Sequence, residues 1–205
     1  MKKIILSCAI LTIVAGCNTL SISSSKTDYC YVDKLKLSSV HSAAFVELYN
    51  ESDYPEIQAD ATDALYHSIL KRQLFTLTLI KQDALAWKSI NYQSGANFTL
   101  EQLYQLQQSL NTKAVLVGSI IDFQPYPHLS LAMRLKMVDL GDGQTIWAAE
   151  QVWDSADKNL EQRVEKYIKA QMRTDRTADR KKLTFISSKD FMRFVCYELA
   201  ETMKN

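Results

Sequence analysis

Apolar positions along the chain recur with two different periods, and the changes between these periods predict alternating strands and helices. Segments in which apolar residues alternate or run continuously predict strands over 40–49, 75–80, 114–121, 129–138 and 145–153. Segments in which they recur every three or four residues predict helices over 55–72, 99–110, 157–172 and 187–203. The sequence therefore predicts an α/β (α+β) domain, with a single mixed β-sheet of about five strands and helices packed on its faces.

The segment from Ala114 to Ile121 is the most apolar run after the N-terminus. It lacks the alternation of polar and apolar residues, which is typical of a strand covered on both faces. The next two strands alternate more clearly, and the turn between them, 141–144, contains two glycines that can adopt positive φ angles. We therefore expect a central strand followed by an antiparallel hairpin.

A charged insertion, 154–187, precedes the last helix. Its first part predicts an amphipathic helix, whereas residues 173–182 have no apolar period and predict a solvated loop. Ser187 is followed by Asp190 three residues later, a spacing that favours a capped start for the final helix.

The N-terminus has a basic start followed by a short apolar run. Lys2 and Lys3 precede this run, and the small residues Ala15 and Gly16 lie directly before Cys17. The run is too short to span a bilayer core of about 30 Å as a permanent helix. We therefore predict that residues 1–16 are a lipoprotein signal peptide. The alternatives are a cleaved secretory peptide without lipid and an uncleaved anchor.

The small residues directly before Cys17 resemble the end of a bacterial lipoprotein signal peptide. The resemblance implies that Cys17 becomes the first residue of the mature chain and carries a thioether-linked diacylglycerol and an amide-linked acyl chain such as palmitate. Each buried methylene contributes about 0.8 kcal/mol to membrane binding, so several acyl chains form a firm anchor. Asn18 is not the aspartate that retains such proteins in the inner membrane of enteric bacteria. The resemblance therefore implies the periplasmic face of the outer membrane.

Residues 17–38 are rich in serine, threonine and lysine and predict a lipidated flexible tether, followed by a periplasmic domain over 39–205. The formal net charge of the whole chain is +1, and no basic cluster indicates a nucleic-acid partner. We therefore expect membrane contact through the N-terminal lipid and partner choice through the shape of the domain.

Cysteine usage leaves one pairing to consider. Cys8 lies in the signal peptide and Cys17 is the expected lipid site, so Cys30 and Cys196 are the two that can pair in an oxidising compartment. Such a disulfide would join the start of the domain to its last helix. The alternative is that Cys196 is a buried apolar thiol and Cys30 an unpaired loop residue.

Two segments carry a resemblance to a known group of envelope lipoproteins. They are the run over 114–123 and the hairpin over 131–149, which contains Val138-Asp139, a Gly-rich turn and Trp147. This arrangement resembles the curli-secretion channel lipoproteins (CsgG), the LpoB-like activators of penicillin-binding proteins and the flagellar FlgO lipoproteins, over about 38–204. The resemblance implies a non-catalytic role in an envelope machine, or activation of a peptidoglycan synthase. The chain lacks the extra pair of long alternating segments that a pore would need, so we expect no channel.

Candidate chemistry is sparse. His41, His67 and His128 lie on different predicted elements, so we expect no zinc site and no other metal or cofactor. Asp122, Asp139 and Asp154 lie at the ends of predicted strands, where aspartate commonly accepts hydrogen bonds from turn amides. We therefore expect that the chain is not an enzyme, with an envelope hydrolase as the least favoured alternative.

Aromatic residues near one edge of the predicted sheet are the candidate partner-binding residues. They are Tyr126 and His128 in the connection after the central strand, and Trp147 and Trp153, which share one face of the return strand. The alternative is that both tryptophans pack under helices. The leading hypothesis is an outer-membrane lipoprotein that binds an envelope protein or associates with itself. A tether over 17–38 would span at most about 70 Å, which is short for an activator that reaches across the cell wall.

Overall fold

The computed structural model describes residues 29–171 and 177–204. The predicted signal peptide, Cys17 and residues 18–28 lie outside the described residues. The strands are β1 (Tyr29–Val32), β2 (Ser42–Val46), β3 (Tyr49–Asn50), β4 (Thr76–Ile80), β5 (Ala114–Gln124), β6 (Ser130–Asp139) and β7 (Thr145–Asp154). The helices are α1 (Lys34–Ser38), α2 (Ile57–Leu70), α3 (Leu85–Lys88), α4 (Leu100–Leu110), α5 (Lys158–Gln171), α6 (Thr177–Ile186) and α7 (Ser188–Glu201), followed by a short 3-10 turn at Thr202–Lys204.

The strands form one mixed sheet in the order β1-β7-β6-β5-β2-β4, and β3 also pairs with β5. Strands β1, β7, β6 and β5 pair antiparallel, whereas β2 is parallel to both β5 and β4. The prediction of a single mixed sheet with helices on its faces is confirmed. The sheet has seven strands in the described residues rather than about five, because β1 was not expected and the segment 40–49 divides into β2 and β3.

The division of that segment has a local cause. The backbone N–H of Glu47 still donates to Ile80 O on β4, but the N–H of Leu48 donates to the Thr62 hydroxyl on α2. β2 pairs with both β4 and β5, whereas β3 pairs with β5, where Tyr49 lies opposite Ser119. The segment therefore loses its pairing with β4 and continues beside β5 with the register shifted by one residue.

The core has two layers, one on each face of the sheet. Leu116 and Ile120 of β5 face α2, α5 and α7, whereas Val115 and Val117 face α3 and α4. Burial on both faces confirms the prediction for this strand. The capped starts of two helices are also confirmed, since Thr99 forms a capping box at α4 and the Ser187 hydroxyl accepts from the N–H of Asp190 at α7.

The predicted tether is too long at its C-terminal end. Residues 29–38 belong to the domain, because β1 pairs with β7 along its length and α1 follows directly. Asp33 links the two elements, since its N–H donates to Ile146 O and its carboxylate accepts from the N–H of Lys36. The aromatic and β-branched residues among Tyr29 to Val32 suit a strand, but the segment is short and the residues around it are polar.

The predicted solvated loop is partly helical. Residues 177–182 form the first part of α6, whereas 173–176 lie outside the described residues. The helix is held by contacts that a periodicity search does not find, namely a Lys181–Glu161 ion pair to α5 and the buried side chain of Thr184. A short helix, α3, was also missed, and it buries Trp87. The described residues contain no helix with the length and apolar character required to cross a bilayer.

Candidate functional site

Two of the four predicted partner-binding residues are core residues. Trp147 and Trp153 are 0% and 1% exposed, because their face of β7 lies beneath α7. The Trp147 indole N–H donates to the Thr202 hydroxyl at 3.0 Å, and that of Trp153 donates to Glu198 Oε2 at 2.7 Å. The prediction that these rings bind a partner is therefore wrong, and the alternative of packing under a helix is correct.

The other two predicted residues lie together at the tip of the sheet, between β5 and β6. Tyr126 is 84% exposed, and His128 is also exposed. The Tyr126–Pro127 peptide bond is cis. The tip is thus an accessible surface.

The predicted disulfide does not form in this structure. Cys30 lies on the exposed edge strand β1, whereas Cys196 is buried on the inner face of α7, and both are free. The Cys196 thiol lies 3.8 Å from Ala61 O on α2, to which it can donate a weak hydrogen bond, and burial raises its pKa. Because Cys196 points toward α2, it is not available to β1.

A groove on the helical face of the sheet was not predicted. It has a volume of about 660 Å³ and lies between α2 and α7, with α5 at one side; we call it the α2–α7 groove. Ala64 and Ser68 are small and one helical turn apart on α2, so they leave room opposite the rings of Tyr167 and Tyr197. These two rings pack against each other with centroids 4.9 Å apart and form an aromatic wall of the groove.

Arg72 lies at one end of this groove and is 9% exposed at its side chain. Its guanidinium donates to Tyr197 O at 3.1 Å, forms an ion pair with Glu201, and lies 4.6 Å from the centroid of the Tyr197 ring. Its Nε is buried and has no hydrogen-bond partner among the described residues. The groove therefore contains an immobilised cation with one unused donor.

The other charged residues lie along the rims of the groove. Asp60 and Asp63 lie on the N-terminal half of α2 and Lys71 directly after its end, whereas Lys189 and Arg193 lie on α7. Asp63 lies 3.3 Å from His67, and Arg193 lies 3.3 Å from Asp190. Lys71 and Lys189 are exposed and form no ion pair within 29–171 and 177–204.

The sequence carried only a weak signal for this site, because its residues come from three helices far apart in the chain. The four-residue spacing of Asp60, Ala64 and Ser68 places them on one face of the predicted first helix. Nothing in the sequence shows that α5 and α7 stand opposite that face. In the described part of the chain, no group of three or more histidine, cysteine, aspartate or glutamate residues could hold a metal ion.

The opposite face of the sheet carries a cluster that stabilises the loop 91–98. The ammonium of Lys136 donates to Ala96 O and lies 5.9 Å and 5.8 Å from the ring centroids of Tyr92 and Phe98. Burial lowers the pKa of Lys136 and raises the pKa of Tyr92 to about 12. The Tyr92 hydroxyl donates to the same carbonyl oxygen at 3.0 Å, so this cluster is part of the fold.

No protein-family model matches the chain, and no curated protein matches it. Among solved structures, it is similar to the PelC dodecamer from Paraburkholderia phytofirmans, with 13% identity, coverage of 62% of this chain and 80% of that chain, and a TM-score of 0.43. It is similar to lipoprotein GNA1162 from Neisseria meningitidis, with 13% identity, coverage of 66% and 98%, and a TM-score of 0.43. It is also similar to the LpoB C-terminal domain from Salmonella enterica, with 15% identity, coverage of 58% and 93%, and a TM-score of 0.41. These sequence identities and TM-scores are too low to assign the chain to a family or to a function.

Proposed function

We propose that this chain is a lipid-anchored protein on the periplasmic face of a bacterial outer membrane, and that its domain binds a protein partner and performs no catalysis. The observation that supports the anchor is the sequence Val14-Ala15-Gly16-Cys17 after a short apolar run. The observation that supports binding is the α2–α7 groove, a concave site with aromatic walls and charged rims. The partner is an envelope protein or a second copy of this chain.

The position of β1 limits where that partner can be. Residues 18–28 separate Cys17 from Tyr29, the first residue of β1. Twelve steps of extended chain reach about 40 Å, and a flexible coil of that length reaches about 20 Å. The domain therefore stays near the membrane that holds the lipid. This reach favours a partner in or beside the outer membrane over the alternative, an activator of a peptidoglycan synthase in the inner membrane.

The groove is a better partner surface than the tip at Tyr126. Binding energy in interfaces concentrates where aromatic and arginine side chains are held in desolvated pockets. Tyr197 and Arg72 meet this description in the groove, whereas Tyr126 is surrounded by solvent. We therefore place the main contact on the α2–α7 groove and treat the tip as a secondary surface.

Photocrosslinking in intact bacteria tests this function. A photoreactive residue replaces Gln171 at the groove rim, Tyr126 at the tip, or Gln107 on the exposed side of α4 as the matched control. We expect one defined envelope protein, or a crosslinked dimer of the chain, from Gln171 and nothing above background from Gln107. Equal recovery from Gln171 and Gln107, or none from any position, would contradict a binding role for the groove.

A further inference from the structure

We infer that this chain forms a two-fold symmetric dimer, in which the outer edge of β1 pairs antiparallel with β1 of a second copy and Tyr31 lies at the two-fold axis. The inference goes beyond the proposed binding at the α2–α7 groove, because it assigns self-association to a separate surface. It rests on the proposed function in one respect, that a lipid anchor holds the copies on one membrane. Its basis is the set of unpaired backbone groups on β1, the lack of protection at that edge and the path of the chain after β1.

One edge of β1 has hydrogen-bonding groups that no other strand of the described residues uses. β1 is the first strand in the sheet order and pairs with β7 alone. In an antiparallel ladder, residues whose N–H and C=O both face the partner strand alternate with residues whose groups both face away. The N–H of Asp33 donates to Ile146 O in the register of this ladder. The alternation therefore directs the N–H and C=O of Cys30 and Val32 away from β7, to the outside of the sheet.

β1 also lacks the features that keep an edge strand from pairing. Protected edges carry charged side chains, proline or a bulge. The sequence of β1 is Tyr-Cys-Tyr-Val, its register on β7 is continuous, and its two tyrosines, Tyr29 and Tyr31, are 52% and 41% exposed. At the other edge of the sheet, by contrast, Leu77 O of β4 already accepts from the Tyr66 hydroxyl at 3.4 Å. β1 is therefore the more available edge.

The chain after β1 leaves this edge open. Lys36 of α1 forms an ion pair with Asp142 in the turn between β6 and β7. Ser39, directly after α1, accepts a hydrogen bond from Lys113, the residue before β5. The chain therefore runs along the end of the sheet toward β5 and away from the outer side of β1, which leaves that side accessible to a second copy.

The same edge of a second copy complements these backbone groups. In antiparallel pairing, Cys30 lies opposite Val32 of the second copy, and Val32 lies opposite Cys30 of the second copy. Four hydrogen bonds then satisfy all the outward N–H and C=O groups of both strands. Any other register leaves some of these groups without a partner in β1. The selected register also places the two Tyr31 side chains opposite each other, and aromatic pairs across strands stabilise a sheet.

The lipid anchor favours a second copy as the occupant of this edge. Residues 18–28 are all that separates β1 from Cys17, so copies on one membrane hold their β1 edges at similar distances from it. Such confinement raises the effective concentration of one edge for the other. In the dimer the two Tyr29 residues lie about 14 Å apart, less than the reach of about 40 Å of each tether. Both lipids can therefore enter the same membrane.

Disulfide crosslinking in intact bacteria tests the register. One variant is Cys30→Ser/Tyr31→Cys, and the matched control is Cys30→Ser/Tyr29→Cys, which changes the other exposed tyrosine of β1. In the dimer the Cα atoms at position 31 lie about 4.5 Å apart, within the roughly 4.4–6.8 Å that a disulfide spans, whereas those at position 29 are about 14 Å apart. With oxygen and copper phenanthroline as the oxidant, we expect at least tenfold more crosslinked dimer from Tyr31→Cys than from Tyr29→Cys.

A second measurement needs no crosslink. Cys30→Pro removes the outward N–H, whereas the bonds to β7 come from its neighbours and remain. Cys30→Ser keeps the N–H and is the matched control. Native mass spectrometry of the lipidated chains released from detergent should show dimers for the natural chain and for Cys30→Ser, and at least tenfold less dimer for Cys30→Pro. Urea denaturation confirms that each variant is folded.

Three results would overturn the inference. They are equal crosslinking at positions 29 and 31, equal dimerisation of folded Cys30→Pro and Cys30→Ser, and a natural chain that stays monomeric because its own residues 18–28 or another protein cover β1. A different protein crosslinked to Tyr31→Cys would likewise exclude a second copy as the occupant. The proposed function fails or stands separately, because a partner captured at Gln171 by a monomeric chain would leave the binding role of the groove intact.

Discussion

The indole N–H of Trp153 donates a 2.7 Å hydrogen bond to the carboxylate of Glu198, which joins β7 to α7. The same carboxylate accepts from the guanidinium of Arg163 on α5, with an Nε to Oε1 distance of 2.9 Å. One carboxylate thus connects the sheet, the last helix and the charged insertion. These hydrogen bonds hold Trp153 in the core, so its ring is not available to a binding partner.

Substitution of Trp153 should therefore reduce stability. Trp153→Phe removes a donor to a charged acceptor, and we expect a loss of about 2 kcal/mol in the free energy of unfolding. Trp87→Phe is the matched control, because the Trp87 indole donates to the neutral hydroxyl of Tyr49 at 3.0 Å. Its loss should be about 1 kcal/mol. Urea denaturation measures both, and equal losses would contradict the role assigned to Glu198.

Thiol labelling tests the positions of the two domain cysteines. Cys30 is exposed and should react within minutes in the folded protein without prior reduction, whereas Cys196 should react only after unfolding. Burial raises the pKa of the Cys196 thiol and also blocks the reagent, so both effects slow its reaction. Mass spectrometry of labelled peptides identifies the site. If neither cysteine reacts until a reductant is added, the two are paired and this account of the N-terminal edge is wrong.

Stability at alkaline pH should depend on Tyr92. Burial holds the pKa of Tyr92 at about 12, above its ordinary value near 10 in an unfolded chain. The neutral ring therefore contributes stability that is fully present below pH 10 and is lost as the pH rises toward 12. The lowered pKa of Lys136 has the opposite effect on stability, which rises with pH as Lys136 loses its proton in the folded chain. This effect is the same in the unchanged protein and in a variant without the Tyr92 hydroxyl.

The comparison is between the unchanged protein and Tyr92→Phe. At pH 8 the variant should be less stable by about 1 kcal/mol, because the hydrogen bond to Ala96 O is lost. Between pH 10 and 12 the variant should lose less stability than the unchanged protein. Parallel loss in the two proteins over that range, measured by urea denaturation at each pH, would show that Tyr92 ionises as it does in solvent.

The sequence predicts correctly those features that a single segment determines by itself. Thr99 and Ser187 cap helices through bonds to residues three positions away, and the apolar run of β5 is buried on both faces as its composition predicts. Helix α2 was likewise predicted from the three- and four-residue spacing of its apolar residues. Such features depend on local periodicity and capping, which a single sequence contains.

The errors concern residues whose environment comes from distant segments. Whether Trp147 and Trp153 face a helix or a partner depends on where α7 lies, and α7 is more than thirty residues further along the chain. The strand at Tyr29–Val32 is stabilised by β7, and Arg72 is fixed by Tyr197 and Glu201. The α2–α7 groove could not be predicted, because no one segment contains its walls.

Membrane fractionation with a changed lipid site is the most direct test of the central claim, that lipid on Cys17 anchors this domain to the outer membrane. The natural chain and its Cys8→Ser control should both be found in the outer-membrane fraction. Cys17→Ser, exported behind a cleavable secretory signal peptide, should be found folded in the soluble periplasmic fraction. Retention of the signal-cleaved Cys17→Ser chain in the outer membrane, or a soluble natural chain, would contradict the account.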